Sequence, residues 1–550
     1  MTKHRSPLFE LADEYVETRA RMSPMTCTEL GIPGFDDRLD LFTTAEANEA
    51  ADYSRTVLAK ARALTPIDEI DRICQAVFTE RLESNLKLHD SKEAYVTYSP
   101  IGNPAAYIRQ VFSIMSTDGD EGIANVTARL NQVGAALNGW KQSLEDLDAQ
   151  GMKTARRQVI GVADQLKTYA DGGWTSMAES LDPTGKYPQL HEAAKLAAAE
   201  SQKLSDWMRD THAPRSTEVD GVGEERYQMW VQYFTGANLD LRSTYEWGIE
   251  DLARINDRMY KAAARLGLEG KSLKEVTDYC ENAELHRIDG EDALLAKLKD
   301  FTQQAVATLN GKYFDIDESI AFCDARLAPD GTAAAPYYIP PSEDLSRPGT
   351  TWYPTLGHKR FNFWHIASTW YHEAVPGHHL QLGTAVIEKD RLSRFQRSST
   401  WIPGYGEGWA LYAERFMDEL GAFDDPALEL GYLAGQALRA ARVVVDIGMH
   451  CGYKDSNGNV WNADSAFDLL VNNAMMAPDF AASEIERYLG WPGQAISYKV
   501  GERYWMEIRE EAKARLGSAF DIRKFHSFSL RIGPMGLDAL KAEMTNWNGA

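Results

Sequence analysis

The chain predicts a mainly α fold: a large helical protein with a small β-sheet next to its central helix and a deep cleft. Three observations predict it. Apolar residues recur at helical spacing through most of the 550 residues, as in the charged run from Tyr245 to Leu266. Only the stretch from about 312 to 356 leaves that rhythm. There IAFCDARLA and APYYIPP alternate or favour extended structure, and Pro340, Pro341, Pro348 and Pro354 punctuate the rest. An apolar content of 44%, with 10% aromatic residues, is ample for a buried core.

In chain order, helices are expected over 8–22, near 44–64 and 68–88, across 122–172, at 187–210 and over 224–266. The segment LGIPGFDDRLD breaks the first pair, because its Gly, Pro and Asp residues favour turns. Short strands and loops follow at 312–356, then an apolar helix bearing YHEAVPGHHLQ. Further helices are expected near 405–421, 427–450, 464–473, 479–489 and 498–515, with a connection and one last helix closing the chain. Loosely, 1–310 forms an N-terminal helical part covering the cleft and 311–550 the catalytic part, around one continuous core. No internal repeat is evident.

The net charge of -23, from 81 acids against 58 bases, argues against nucleic acid or an anionic membrane as a partner. Cys27, Cys74, Cys280, Cys323 and Cys451 are odd in number and scattered without a CxxC pair, so a disulfide framework is not expected and a reducing compartment fits. The N-terminus runs straight into charged helix, and no apolar run approaches the roughly 20 residues of a membrane span. A cytoplasmic location is the expectation.

Chemistry concentrates in residues 371–381, YHEAVPGHHLQ. Zinc takes imidazole nitrogen and carboxylate oxygen, and a hydrolytic site needs three protein ligands with a position left for water. In HExxH two histidines four apart share a helical face, with the glutamate beside them as base. Here the fourth residue after His372 is Pro376, whose ring collides with the carbonyl of His372, so the helix should kink, widen or break. On a straight helix His379 would fall within about 20° of His372 but roughly 10.5 Å along the axis. A Pro-Gly bulge worth two residues instead brings His378 into the ligand place. His378 is the preferred second ligand and His379 the alternative.

A third ligand is expected from GYGEGWALYAE, where Glu407 follows two glycines and opens an amphipathic run. Glu414, seven residues on, lies near the same face and suits orientation of a histidine. Glu373 is the candidate base. Tyr498, just after the Pro492-Gly493 break, is the candidate oxyanion donor, with ordinary packing as its other reading. Arg442, Asp446 and His450 form an i, i+4, i+8 stripe within an apolar helix. Either His450 donates to the transition state and Arg442 anchors a substrate carboxylate, or Arg442 and Asp446 form a structural ion pair. Arg347 and Arg360 offer further grips for a terminal carboxylate. Tyr337 and Tyr338 lie on a strand whose edge can bind an extended peptide. His365 may only flank the site, and His358 has less support.

HEAVPGHHLQ, EGWALYAE, RVVVDIGMH and PGQAISYKVG together resemble the bacterial domain-of-unknown-function family 885, whose members look like zincin-type metallopeptidases similar to the carboxypeptidase Taq family. The blocks span 371–502, and a weaker resemblance covers nearly the whole chain. The resemblance implies one Zn2+ per chain held by His372, His378 and Glu407, since Gly377-His378 matches a Gly-His dipeptide in the related motif. It also implies Glu414 beside the ligands, with two extra residues before His378 as the departure. The expected activity is hydrolysis of a short peptide, with Glu373 taking a proton from water. Hydrolysis of a small non-peptide amide or ester, or a binding protein that has lost catalysis, are the alternatives.

Overall fold

The computed structural model describes residues 6–283, 286–329 and 335–549. It is 69% helix and 5% strand, the mainly α architecture with small sheets that the periodicity predicts. Helix starts follow from local chemistry. Ser6 accepts from the Phe9 amide to cap α1 (Pro7–Arg21), whose Pro7 sits where an N–H would lack a helical partner. Ser23 does the same for α2 (Pro24–Glu29). Thr43 and Glu46 close a capping box on α3 (Thr44–Ala63), and Asp68 caps α4 (Glu69–Asp90).

After α5 (Glu93–Val96), the helices α6 (Pro104–Ile114), α7 (Gly119–Ala149), α8 (Arg156–Thr168), α9 (Trp174–Leu181) and α10 (Pro188–Trp207) share an apolar core of their own. The run expected at 122–172 is divided after Ala149, because Gly151 takes a positive φ of 82°. The run at 224–266 also divides, into α11 (Glu224–Thr235) and α12 (Leu241–Arg265). Gly236 ends the first in the left-handed region, and Asp240 caps the second.

Next come α13 (Leu273–Asn282), β1 (Arg287–Asp289) and α14 (Glu291–Leu309), followed by β2 (Asp324–Leu327), β3 (Tyr337–Ile339), β4 (Thr350–Tyr353) and β5 (Arg360–Asn362). β2 runs parallel to β4, which pairs antiparallel with β3, so β3 is an edge; β1 and β5 form a separate antiparallel ribbon. The chain then enters α15 (Phe363–Glu373), α16 (His378–Ile387), α17 (Pro403–Glu419), α18 (Pro426–Cys451), α19 (Ala463–Asn473), α20 (Pro478–Gly490) and α21 (Ser497–Leu516). Two helices close it rather than one, α22 (Ile522–Arg531) and α23 (Leu537–Asn546), because Gly533, at a φ of 83°, and Pro534 interrupt the run.

One apolar core draws on residues from Met25 to Ala213, and the main core gathers Tyr227 to Trp547 with Ile73 and Val77. Within the main core α11 to α14 pack with the later helices, and Phe395 packs among Leu8 to Leu86 of the N-terminal helices. Among the described residues, no helix is long and apolar enough to cross a membrane.

Backbone contact between glycines fixes the central helices. A Cβ on Gly408 of α17 would stand 2.5 Å from the Gly501 Cα of α21, and one on Gly501 would fall on the Gly404 carbonyl oxygen. On α18, a Cβ at Gly431 would collide with the Trp364 carbonyl of α15. Buried Lys499 pairs with Glu502 and Asp251, and Arg415 with Glu502, tying α12, α17 and α21 through charges that are costly to separate.

Replacing Gly501 by Ala should destabilise the protein by about 1–3 kcal/mol, the range for overpacking a close-fitted contact. Chemical denaturation measures it. Stability equal to the parent would contradict a backbone contact between α17 and α21.

Candidate metal centre

The Pro-Gly element ends one helix and starts another. α15 stops at Glu373, Ala374 leaves the helical region with ψ of -117°, and α16 begins at His378. The Val375–Pro376 peptide is cis. Amide bonds from Gly377 to the Tyr371 carbonyl (3.0 Å) and from His379 to Ala374 (3.1 Å) close the turn. A Cβ on Gly377 would collide with the His372 carbonyl, so a residue without one is required here. The Trp409 indole of α17 donates to the Pro376 and Gly377 carbonyls at 2.9 and 3.3 Å. This ties the turn to the helix that carries Glu407.

The break brings His378, not His379, to His372. The two rings are nearly perpendicular with centroids 4.8 Å apart. Glu407 Oε2 lies 3.2 Å from His372 Nε2 and 3.4 Å from His378 Nε2, and the three ligand atoms fall within 4.8 Å of one another. Tetrahedral zinc with bonds of 2.0–2.2 Å separates neighbouring donors by about 3.3 Å, which matches both distances.

The donor chemistry fits a cation. His372 Nδ1 lies 2.8 Å from Glu414 Oε1, and the other Glu414 oxygen accepts from Ser368. Glu414 can only accept when ionised, so Nδ1 carries the proton and the neutral ring presents the Nε2 lone pair to Glu407. Two acceptors then face each other across 3.2 Å. Only a proton or a metal ion reconciles them. Burial opposes charge on His372, but the bonds to Glu407 and Glu414 outweigh it and push the imidazole up to about 10. Burial likewise opposes charge on Glu407, yet His378 and His372 hold it well below the usual carboxylate range. Glu414 behind the ring is the partner that orients a metal-binding histidine.

His379 is directed elsewhere, which removes the alternative ligand. Its Nε2 donates to the Ile320 carbonyl at 2.8 Å and its Nδ1 accepts from the Tyr338 hydroxyl at 2.9 Å. Burial, only partly offset by the Ile320 bond, lowers it to about 4. Tyr338 thus acts through His379 rather than offering its hydroxyl to a substrate. Tyr337 of the edge strand β3 stacks on Trp352 of β4 with centroids 6.2 Å apart.

Glu373 is buried beside the cluster, and among the described residues its carboxylate makes no hydrogen bond. Burial raises its pKa, while His372 and His378 pull the other way. The Tyr498 ring stacks on His372 with centroids 6.3 Å apart. Burial and the charge of Glu407 raise the phenol, so it remains a donor. The Arg442 guanidinium carbon lies 4.8 Å from the centroid of that ring.

The remaining stripe residues do other work. Arg442 donates to Glu484 at 2.7 and 3.1 Å and to the Tyr488 hydroxyl at 2.9 Å, so it neither pairs with Asp446 nor has a free fork for a substrate carboxylate. Asp446 accepts from Tyr227 (2.6 Å) and the Gly493 amide (2.9 Å), which holds the turn before α21 rather than a ligand. His450 lies about 12 Å further along α18 than Arg442. Its Nε2 proton goes to the Tyr488 carbonyl at 3.0 Å, and burial lowers it to about 4, so it has no proton for an oxyanion. His365 faces Glu281 at 3.7 Å on the exposed side of α15. Arg360 stands on β5 opposite Asp289.

Trp401, half-exposed with its ring 5.9 Å from His378, was not singled out from sequence. It lines a cavity of about 440 Å³, whose walls share Arg19, Asn85, Tyr95 and Tyr233 with an aromatic cavity of about 700 Å³ under the N-terminal helices. Ser368 was legible, being one helical turn before His372.

A mainly helical protein whose central helices converge on a His-His-Glu cluster is the class that fold and site define. The model of the DUF885 family, described as a bacterial protein of unknown function, matches residues 24–544, and the chain belongs to that family. A crystal structure titled as a "putative lipoprotein" from Colwellia psychrerythraea is similar at 21% identity and a TM-score of 0.85, with 98% of each chain covered. A "putative lipoprotein of unknown function" from Shewanella oneidensis is 17% identical with a TM-score of 0.77, over 98% of this chain and 100% of that one. These likenesses concern the fold. No functionally curated protein matches.

His378→Ala should lose zinc on dialysis, whereas His379→Ala should keep a full equivalent; metal analysis distinguishes them. Zinc retained by the first and lost from the second would reverse the ligand assignment. A second expectation concerns Asp446, which burial pushes from 3.8 up to about 7, against the pull of Tyr227 and Gly493. The unfolded chain releases this proton near 4 and the folded chain only near 7, so this group's contribution falls as pH rises between those values. The unfolding temperature of Asp446→Asn, relative to the parent, should therefore rise from pH 4 to 7 and then level. A pH-independent difference would contradict the buried acid.

Proposed function

We propose that the chain is a zinc-dependent hydrolase of the zincin type, acting on short peptides. The observation that carries this reading is the meeting of His372, His378 and Glu407 beside a buried, unbonded Glu373. A structural zinc site closes its coordination with four protein groups; three with an acid alongside is the pattern of a hydrolytic one. A dication held there supplies Lewis acidity, polarising a carbonyl and bringing the pKa of water towards neutrality.

The chain's own groups supply the rest. Glu373 takes a proton from the attacking water and returns it to the leaving nitrogen, a task suited to a carboxylate whose pKa burial has raised. Tyr498 stands over His372 with its phenol protonated and donates to the developing oxyanion. Arg442 packs on that ring, anchored itself by Glu484. Among the described residues edge strand β3 has one side unpaired, open to an extended substrate backbone.

Glu373→Gln should keep its zinc and lose turnover of a peptide library by a factor on the order of 10² to 10⁴. Tyr498→Phe should lower kcat by about 10² with little change in KM, as for one oxyanion donor. Full activity in Glu373→Gln would eliminate the base. Zinc-dependent turnover confined to non-peptide amides or esters would overturn the peptide assignment, and no zinc-dependent turnover of any of these would overturn the hydrolase.

A further inference from the structure

Resting on that hydrolase reading, we propose that Arg439 binds the carboxylate of the substrate, so that the site selects peptides with a free C-terminus. The arginines that sequence points to are occupied or remote. Arg442 is committed to Glu484 and Tyr488, Arg360 of β5 faces Asp289 of β1, and the Arg347 guanidinium, among the described residues, donates to the Pro348 carbonyl alone.

Arg439 differs in each respect. It lies three residues before Arg442 on the same face of α18, and among the described residues no carboxylate pairs with it. Its Nη1 donates to the Gly435 carbonyl at 3.2 Å, while its Nε is buried with no partner. An unpaired buried donor is unfavourable unless something else accepts from it. Its guanidinium carbon lies 5.8 Å from the centroid of the Tyr498 ring, which stacks on His372, and its charge acts on Glu373.

Gly435 leaves room for this arrangement. A Cβ there would stand 3.1 Å from Arg439 Nη1 and 3.8 Å from Glu414 Oε2, which places the guanidinium on the site's side of α18. Among the described residues Nη2 has no partner and Nη1 is held only by a backbone carbonyl, so the planar end of the guanidinium suits a carboxylate. A peptide held with its terminal carboxylate on Arg439 puts its last amide bond towards Tyr498 and the cluster.

The test is calorimetric binding of N-acetyl dipeptides with a free C-terminus, and of their C-terminal amides, to the full chain. The parent should prefer the acid by about 10- to 100-fold, as for a hydrogen bond to a charged group. Arg439→Gln should remove the preference without changing binding of the amide, and Arg439→Lys should restore part of it. If Arg439 only balances the charge of Glu373, its loss lowers kcat on acid and amide substrates alike. That result, an equal affinity for acid and amide in the parent, a preference that survives Arg439→Gln, or no binding of either peptide would overturn the proposal. Failure of the hydrolase reading is separate: the preference would persist while zinc-dependent turnover of both peptides is absent.

Discussion

One carboxylate oxygen facing two imidazole nitrogens is the constraint on which the centre depends. Glu407 Oε2 stands 3.2 Å from His372 Nε2 and 3.4 Å from His378 Nε2, all on buried or nearly buried groups. Glu414 holds one proton of His372 on the far nitrogen, so the near nitrogen meets Glu407 through either a second proton or a cation. Such a meeting is favourable only around positive charge. Burial makes it more demanding, because low-dielectric surroundings screen charge weakly.

The rest of the fold holds those three groups in place. Gly404, Gly408 and Gly501 let α17 and α21 touch backbone to backbone, which brings Glu407 to the Nε2 of His372 and Tyr498 against its ring. Gly431 brings α18 equally close to α15. Trp409 joins the Pro-Gly turn to α17 by two hydrogen bonds, so the break in the metal helix is a supported element rather than a defect. Short-chain residues at these contacts and a large aromatic at the turn divide the work between approach and registration.

Much of this was legible in the sequence. Helical period placed most of the long helices, though not α14, and Pro376 with Gly377 foretold that His378 would displace the i+4 position. Glu407 and Glu414 could be named because glycines and a seven-residue spacing are local features. What could not be read was pairing across the fold. The stripe Arg442, Asp446, His450 has correct helical spacing, yet each residue is taken by a group far away in sequence: Glu484, Tyr227 and the Tyr488 carbonyl. His379 was a plausible ligand until Ile320 and Tyr338 were seen to occupy both nitrogens. Arg439 drew no notice because its distinction is the lack of a partner, which only coordinates reveal.

The account turns on which groups would hold the proposed cation. Crystals grown with zinc and measured at its absorption edge would locate it directly in an anomalous difference map. The account predicts one strong peak about 2.0–2.2 Å from His372 Nε2, His378 Nε2 and a Glu407 oxygen. A fully occupied zinc elsewhere, with His372 and Glu407 still facing each other without it, would contradict it.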